Sequence, residues 1–174
     1  MDWKKRGNDF FDISIKTMTM RKILTFLICL LIPLTVGAIS GFATSAGITT
    51  WYANLNKPFF NPPNWIFAPV WTTLYALMGV GLFLIYGSLK TPDRKNALII
   101  FGIQLFLNFC WSFLFFYFES PLIAFIEIIF LWVSILMMIF YFMKINRTAA
   151  YLQIPYLCWV SFAAILNFSI FWLN

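Results

Sequence analysis

Five stretches without a single charged residue dominate this chain, at 23–56, 58–89, 96–118, 128–143 and 148–174. A helix needs about 20 mainly apolar residues to cross the hydrocarbon core of a bilayer. Hydrophobic residues make up 62% of the chain and charged residues 10%, whereas soluble domains contain about 45–50% and about 25%. The sequence therefore predicts one compact, all-α membrane domain and excludes an ordinary soluble fold.

The apolar runs predict a bundle of five transmembrane helices, in which a long loop between the first two helices caps an internal pocket. Proline at 121 suits the first turn of the fourth helix, where its missing N–H is not needed. Prolines 33 and 155 fall inside helices and predict kinks. A basic, poorly ordered cytoplasmic tail is expected at 1–21, followed by a domain at 22–174 with helices near 22–46, 65–88, 96–117, 121–144 and 149–172.

The basic residues lie almost entirely on one side of this predicted bundle. Six precede the first apolar run, three lie in the 89–95 loop and two in the 144–148 loop, while the opposite side has only Lys57. Cytoplasmic loops are enriched in Lys and Arg, so the N-terminus is expected in the cytoplasm and the C-terminus outside. Because the net charge of +6 is accounted for by helix flanks, no nucleic-acid partner is expected.

The sequence contains no histidine, which removes the commonest metal ligand and general base. The three cysteines, Cys29, Cys110 and Cys158, lie inside apolar runs without the close spacing of a metal motif or a disulfide framework. They are interpreted as packing residues. No metal site is predicted.

The loop at 47–64 is rich in proline and aromatic residues. Its prolines restrict the backbone, and its aromatic rings, Trp51 and Tyr52 among them, need a surface to pack on. One interpretation is a lid over a pocket. The other is a belt of interfacial aromatics, which membrane proteins carry in any case. The residues alone leave both open.

Three helices present comparable aromatic faces at helical spacing. At about 1.5 Å of rise per residue, these faces lie within about 9–20 Å of the predicted outer boundary, on the side of the long loop. Amide groups in hydrocarbon need partners, so they are expected to point inward, either to a ligand or to a neighbouring helix. The predicted pocket residues on these faces are Trp71, Tyr75, Gln104, Asn108, Trp111, Trp159, Phe162 and Ala163, with Asn167 beside them.

Two further features keep two interpretations each. Glu127 is an ionisable group at membrane depth, which marks either function or a carboxylate that reaches the interface. Gly37, Gly41 and Ser45 form a ridge of small residues at four-residue spacing. Such a ridge lets another helix approach closely, either inside the bundle or in a second subunit.

Residues 51–79 read W-Y-x-x-L-x-K-P-x-x-x-P-P-x-W-x-F-x-P-V-W-T-x-L-Y-x-x-M-G, which resembles the signature of the TspO/MBR family, in the bacterial type. Two further segments agree, Q-L-F-L-N-F-C-W-S-F-L-F-F at 104–116 and P-Y-L-C-W-V-S-F-A-A-I-L-N at 155–167. The resemblance extends over roughly residues 23–174 in the family's order and spacing.

The resemblance implies a five-helix bundle, often a homodimer, in the bacterial cell membrane. Its pocket would bind porphyrins, haem-like tetrapyrroles, and benzodiazepine-type or isoquinoline carboxamide compounds, with no permanently bound cofactor. Carried over by motif position, the pocket comprises Trp51, Tyr52, Trp71, Tyr75, Asn108, Trp111, Trp159 and Ala163.

Some bacterial members degrade protoporphyrin in light, and the residues implicated there match Trp71 and Trp159, which become the candidate catalytic residues. The cholesterol-recognition stretch of animal members is incomplete here, since Phe168 and Trp172 stand where a Tyr and an Arg would be. Steroid transport is therefore not expected.

The leading functional hypothesis is a tetrapyrrole-binding membrane protein, with light-dependent porphyrin oxidation as a possible activity. One alternative is a transporter or exchanger of tetrapyrroles or lipids, although the chain shows no inverted repeat of broken helices. A second alternative is a sensory partner in a membrane complex, regulated through the pocket.

Overall fold

The protein is described from a computed structural model, which gives the backbone of residues 3–174 and the side chains of residues 18–45 and 47–174. Within those residues the regular structure is entirely helical. The predicted tail at 1–21 falls largely outside the described side chains.

Seven α-helices follow one another along residues 3–174, the part whose backbone is described. They are α1 (Trp3–Ile48), α2 (Trp51–Asn54), α3 (Phe67–Tyr86), α4 (Pro92–Ser112), α5 (Pro121–Ile145), α6 (Arg147–Tyr151) and α7 (Ile154–Leu173). A 3₁₀ turn, Asn64–Ile66, leads into α3, and a π-helical turn, Phe113–Tyr117, extends α4.

Five segments of the described chain are long and apolar enough to span a membrane: Met18–Ser45, Asn64–Tyr86, Pro92–Tyr117, Pro121–Ile145 and Arg147–Leu173. The prediction of a five-helix, multi-pass membrane protein is confirmed.

Local chemistry explains where several helices begin. The backbone of α1 is helical from Trp3 rather than from near residue 22, since the sequence between 8 and 21 contains no proline or glycine. Helix α4 begins at Pro92, four residues before the predicted start, because the Thr91 hydroxyl accepts a hydrogen bond from the Arg94 amide at 3.2 Å. Helix α5 begins at Pro121, as predicted.

The last span is broken rather than kinked. Helix α6 ends at Tyr151, and α7 begins at Ile154 with Pro155 in its first turn. Pro155 therefore lies where a proline costs nothing, and not inside a continuous helix. Pro33 does lie inside α1, as predicted.

The most extensive helix–helix contacts join α4 to α5, α1 to α3, and α5 to α7. One end of the bundle carries the 47–63 segment, the 118–120 turn and residue 174. We call it the loop end, the half of the bundle next to it the loop half, and the other half the closed half. Fully buried side chains fill the closed half, among them Ile85, Met138 and Phe142. This half is a conventional close-packed helical core.

Helix α1 changes its neighbour along its length. In the closed half it touches α3 so closely that a Cβ on Gly79 would lie 2.7 Å from the Leu30 Cα, and a Cβ on Gly37 would overlap the Tyr75 ring. A Cβ on Gly41, one turn further, would meet nothing within 4 Å. At the loop end α1 contacts α4 instead, since a Cβ on Gly47 would lie 2.7 Å from the Phe116 carbonyl oxygen.

The predicted ridge of small residues is thus used within the bundle at Gly37. Beyond that residue α1 and α3 diverge, and a cavity lies between them.

Candidate ligand-binding cavity

A cavity of about 520 Å³ occupies the loop half of the bundle. Helices α1, α3 and α7, the end of α4 and the short helix α2 supply its walls. It lies near the loop end, among aromatic residues of α3, α7 and the end of α4.

Aromatic pairs form two of its walls. The Trp71 indole stacks on the Tyr75 ring of α3, with centroids 5.5 Å apart and planes at 28°. The Trp111 indole stacks on the Phe115 ring at 5.2 Å and 18°. Trp159 of α7 contacts Phe67 edge-on, with centroids 6.0 Å apart. Since each indole is held by a second ring, the walls present flat faces in fixed orientations.

Helix α1 provides the opposite wall, which sequence reasoning did not assign to the pocket. It contributes small and hydroxyl-bearing residues rather than aromatic ones: Gly37, Ala38, Ser40, Gly41, Thr44 and Ser45, with Leu34 and Ile48 at the two ends. The small-residue ridge was the available signal. It did not reveal whether a helix or an empty space faced it.

A buried hydrogen-bond network lies at the floor of the cavity. The Tyr75 hydroxyl donates to Asn108 Oδ1 at 2.5 Å, and Asn108 Nδ2 donates to the Tyr156 hydroxyl at 3.2 Å. The Tyr156 hydroxyl in turn donates to Gln104 Oε1 at 3.0 Å. Three helices, α3, α4 and α7, are joined in this way, so Gln104 and Asn108 bond to neighbouring helices and do not line the cavity.

Asn167 fixes the orientation of a second indole. It lines the cavity, its Oδ1 accepts from Trp111 Nε1 at 3.1 Å, and its Nδ2 donates to the Pro121 carbonyl at 2.8 Å. The amide thereby ties α7 to α4 and to the first turn of α5.

Tyr52 brings the loop segment into the cavity wall. Its side chain is buried, it packs against Phe116 with centroids 5.7 Å apart, and its hydroxyl donates to Asn61 Oδ1 at 2.6 Å. The Lys57 ammonium lies 4.8 Å from the centroid of the Tyr52 ring, a cation–π contact. Burial raises the pKa of the Tyr52 phenol, and the hydrogen bond with Asn61 partly offsets that effect.

Two reciprocal hydrogen bonds connect the same segment to Asn174. The Asn56 backbone N–H donates to Asn174 Oδ1 at 3.0 Å, and Asn174 Nδ2 donates to the Asn56 carbonyl at 3.0 Å. Both residues are exposed. We call this pair the Asn56–Asn174 clamp.

The predicted site residues divide into two groups. Tyr52, Trp71, Tyr75, Trp111, Trp159 and Ala163 line the cavity, whereas Trp51, Gln104, Asn108 and Phe162 do not. Trp51 packs edge-on against Phe115 with centroids 5.4 Å apart. Phe162 lies in a shallow apolar groove between α3 and α7, on the outer surface of the bundle.

Sequence reasoning missed Tyr156, the centre of the floor network. The sequence did contain a signal for it. Tyr156 lies one turn before Trp159 on α7, at the same depth as the Gln104 and Asn108 amides on α4.

Glu127 lies outside the cavity lining. Its side chain is 9% exposed, and neither carboxyl oxygen has a hydrogen-bond partner among the described residues. Both carboxyl oxygens are therefore enclosed by protein and are not exposed at the surface of the bundle.

The lining of the cavity is uncharged and rich in aromatic side chains. None of the described residues that line it carries a charge, and its polar groups are hydroxyls, amides and indole N–H groups. Such a lining offers stacking faces and weakly polar contacts to a guest, but no acid–base pair. A five-span helical bundle enclosing this aromatic cavity defines a multi-pass membrane protein with an internal, uncharged chamber.

Comparison with known proteins identifies the family. The model of the TspO/MBR family matches residues 29–173. The chain is 40% identical over 155 residues to the tryptophan-rich protein TspO of Chlorobaculum tepidum, covering 88% of this chain and 98% of that protein. It is also 40% identical over 152 residues to the tryptophan-rich protein TspO of Archaeoglobus fulgidus, covering 87% and 98%.

The translocator protein of Ovis aries is 39% identical over 121 residues, covering 68% of this chain and 71% of that protein. The chain belongs to the TspO/MBR family, and the resemblance of its motifs is confirmed.

Proposed function

We propose that this protein binds tetrapyrroles, porphyrins above all, in the cavity at the loop end. The observation that carries the proposal is the uncharged cavity with stacked indole walls at Trp71 and Trp111. A porphyrin is flat, apolar over most of its area and rich in π electrons, so it gains both burial and stacking there. The volume of about 520 Å³ falls within the usual range of small-molecule pockets, about 300–1,000 Å³.

The segment at 47–63 is proposed to act as the lid of this chamber. Tyr52 contributes to the wall, and the Asn56–Asn174 clamp holds the segment against the end of α7. In this arrangement the lid shields the aromatic chamber from water. Benzodiazepine-type and isoquinoline carboxamide compounds, which are also flat and largely apolar, would compete for the same faces.

Porphyrin titration of the purified protein in the dark tests the binding proposal. Bound porphyrin should quench tryptophan fluorescence and shift the porphyrin absorbance, since the indoles stack against it. The matched pair is Trp111→Ala, which removes a cavity wall, and Trp172→Ala, which removes an exposed indole outside the cavity. Equal affinity in both variants would refute the site.

We further propose that Trp71 and Trp159 support light-dependent oxidation of a bound porphyrin. Both indoles line the cavity. A photoexcited porphyrin can accept an electron from an indole, which leaves a porphyrin radical anion and an indole radical cation. Dissolved dioxygen would add to the porphyrin radical anion, and the extra electron would return to the indole radical cation. Cleavage of the O–O bond and of one ring carbon–carbon bond would then leave both oxygen atoms as carbonyls in a ring-opened, bilin-type product.

Illumination of the porphyrin complex in air tests this activity. Trp71→Phe combined with Trp159→Phe should abolish conversion, because phenylalanine keeps a ring but is a much poorer electron donor. Trp172→Phe is the control. Conversion at the wild-type rate in the double variant would disprove the indole mechanism while leaving the binding proposal intact.

Transport remains the alternative in a different class. Porphyrin flux into sealed vesicles, without chemical change of the porphyrin, would favour it. A homodimer in the cell membrane is expected for either activity, and cross-linking in native membranes would test that expectation.

A further inference from the structure

We propose that α1 and α3 frame a lateral portal through which the guest reaches the cavity from the bilayer rather than from water. The portal rim consists of Ala38, Gly41 and Ser45 on α1 and of Ala68 and Thr72 on α3. The proposal rests on the proposed function, since it concerns how the porphyrin site is filled.

The first argument is the divergence of the two helices. They are in backbone contact at Leu30 and Gly79, and a Cβ on Gly37 would still overlap the Tyr75 ring, but a Cβ on Gly41 would lie in open space. Near the loop end α1 instead packs against the Phe116 backbone through Gly47. A helix that moves from one neighbour to another leaves a gap beside the neighbour it departs from.

The second argument is exposure. All five rim residues line the cavity, and all five are also exposed on the surface of the bundle. They lie within the segments Met18–Ser45 and Asn64–Tyr86, which span the membrane. A residue that faces the cavity and the outside of a membrane-spanning segment marks an opening toward lipid.

The third argument is continuity with the outer surface of α1. A shallow apolar depression there is lined by Leu31, Leu34, Thr35, Ala38, Ile39 and Phe42. Leu34 and Ala38 belong to both the depression and the cavity wall. An apolar surface thus runs from the lipid-facing side of α1 into the chamber.

The chemistry of the rim determines which molecules it admits. The Thr72 hydroxyl donates to the Ala68 carbonyl at 2.8 Å, and the Ser45 hydroxyl donates to the Phe42 carbonyl at 2.9 Å. Their hydrogens are therefore already used within their own helices. The rim offers methyl groups and oxygen lone pairs, with no cation, so it favours neutral, apolar edges and disfavours carboxylates.

The water-facing approach is more obstructed. Tyr52 is 2% exposed and packs against Phe116, and the Asn56–Asn174 clamp closes the segment onto α7. A guest arriving through the lid would have to break these contacts first.

Stopped-flow binding in lipid nanodiscs tests the portal, with tryptophan quenching by protoporphyrin dimethyl ester, a neutral probe dissolved in the lipid. Gly41→Phe places a ring in the rim, whereas Gly102→Phe makes the same change at another exposed glycine, whose Cβ would also meet nothing within 4 Å. We expect Gly41→Phe to slow association by about tenfold and to slow dissociation with it. Gly102→Phe should match the wild type.

Ala68→Phe narrows the portal from the other side and gives the same test if Gly41→Phe fails to fold. Asn174→Ala, which opens the clamp, should leave association of the ester unchanged. The diacid protoporphyrin should associate more slowly than the ester in the wild type.

The outcomes separate the two proposals. Wild-type rates in both rim variants, together with faster association in Asn174→Ala, would refute the portal and place the entrance at the lid. Weaker binding with faster dissociation in the rim variants would also refute it, since the rim would then be only a cavity wall. A wild-type protein that binds neither porphyrin would refute the proposed function, and the portal with it.

Discussion

Glycine has opposite structural effects in the two halves of the α1–α3 pair. In the closed half, Gly79 lets the two backbones touch, and Gly37 makes room for the Tyr75 ring. In the loop half, Gly41 has no neighbour at Cβ distance and leaves open space beside the cavity. The difference shows that small residues in a membrane helix indicate close backbone approach only where a second helix is actually present.

The largest effect on stability is expected from substitution of Gly79, compared with the same substitution at Gly41. Gly79→Ala would place a Cβ 2.7 Å from the Leu30 Cα, so the helices must separate, at a cost of about 2–3 kcal/mol in the free energy of unfolding. Gly41→Ala adds the same methyl group to open space and should stabilise the protein by up to about 1 kcal/mol, because alanine favours the helix more than glycine does. Reversible unfolding in mixed micelles, followed by circular dichroism, measures both, and equal effects would contradict the divergence of the helices.

An intermediate effect is expected from the tyrosines on either side of the cavity. Tyr75→Phe removes the donor to Asn108 Oδ1 and leaves that oxygen unpaired in a dry interior, which costs about 1–3 kcal/mol. Tyr52→Phe removes the bond to Asn61, which is only half-buried and has access to water, so the loss should be nearer about 0.5–1.5 kcal/mol. The same unfolding assay ranks the two, and a larger loss at Tyr52 would show that its bond to Asn61 contributes more to stability than the buried bond between Tyr75 and Asn108.

The smallest effect is expected at the Asn56–Asn174 clamp, which is exposed. Asn174→Ala should leave global stability nearly unchanged but increase hydrogen exchange at the Asn56 amide, which donates to Asn174 Oδ1. Asn174→Asp keeps an acceptor for that amide and should retain most of the protection. Exchange measured by mass spectrometry on the loop peptide checks this, and unchanged exchange in Asn174→Ala would show that other contacts hold the segment.

Much of this architecture follows from patterns along the chain. Charge-free runs give five spans, and helical spacing places Trp71 with Tyr75 and Trp159 with Ala163 on common faces, all of which line the cavity. Periodicity orients a side chain relative to its own helix, but it does not identify the neighbour across from it. Trp159 and Phe162 are three residues apart on α7, yet only Trp159 lines the chamber, while both line the outer groove.

Other features depend on contacts between distant residues, which the sequence alone does not reveal. Gln104 and Asn108 have the spacing of pocket residues, but both form hydrogen bonds with Tyr156 from α7, through Gln104 Oε1 and Asn108 Nδ2. The π-helical turn at Phe113–Tyr117 closes through a bond from the Phe118 amide to the Phe113 carbonyl at 2.8 Å. No residue type in that run predicts a π-helical turn. The backbone of this turn packs against the end of α1 at Gly47.

The absence of charge among the described residues that line the cavity has an electrical consequence. Moving one elementary charge across the full membrane potential involves about 2.3 kcal/mol per 100 mV. A neutral guest that slides sideways into an uncharged chamber moves no charge along the field. If the cavity binds a neutral guest as proposed, its occupancy should therefore not depend on the membrane potential.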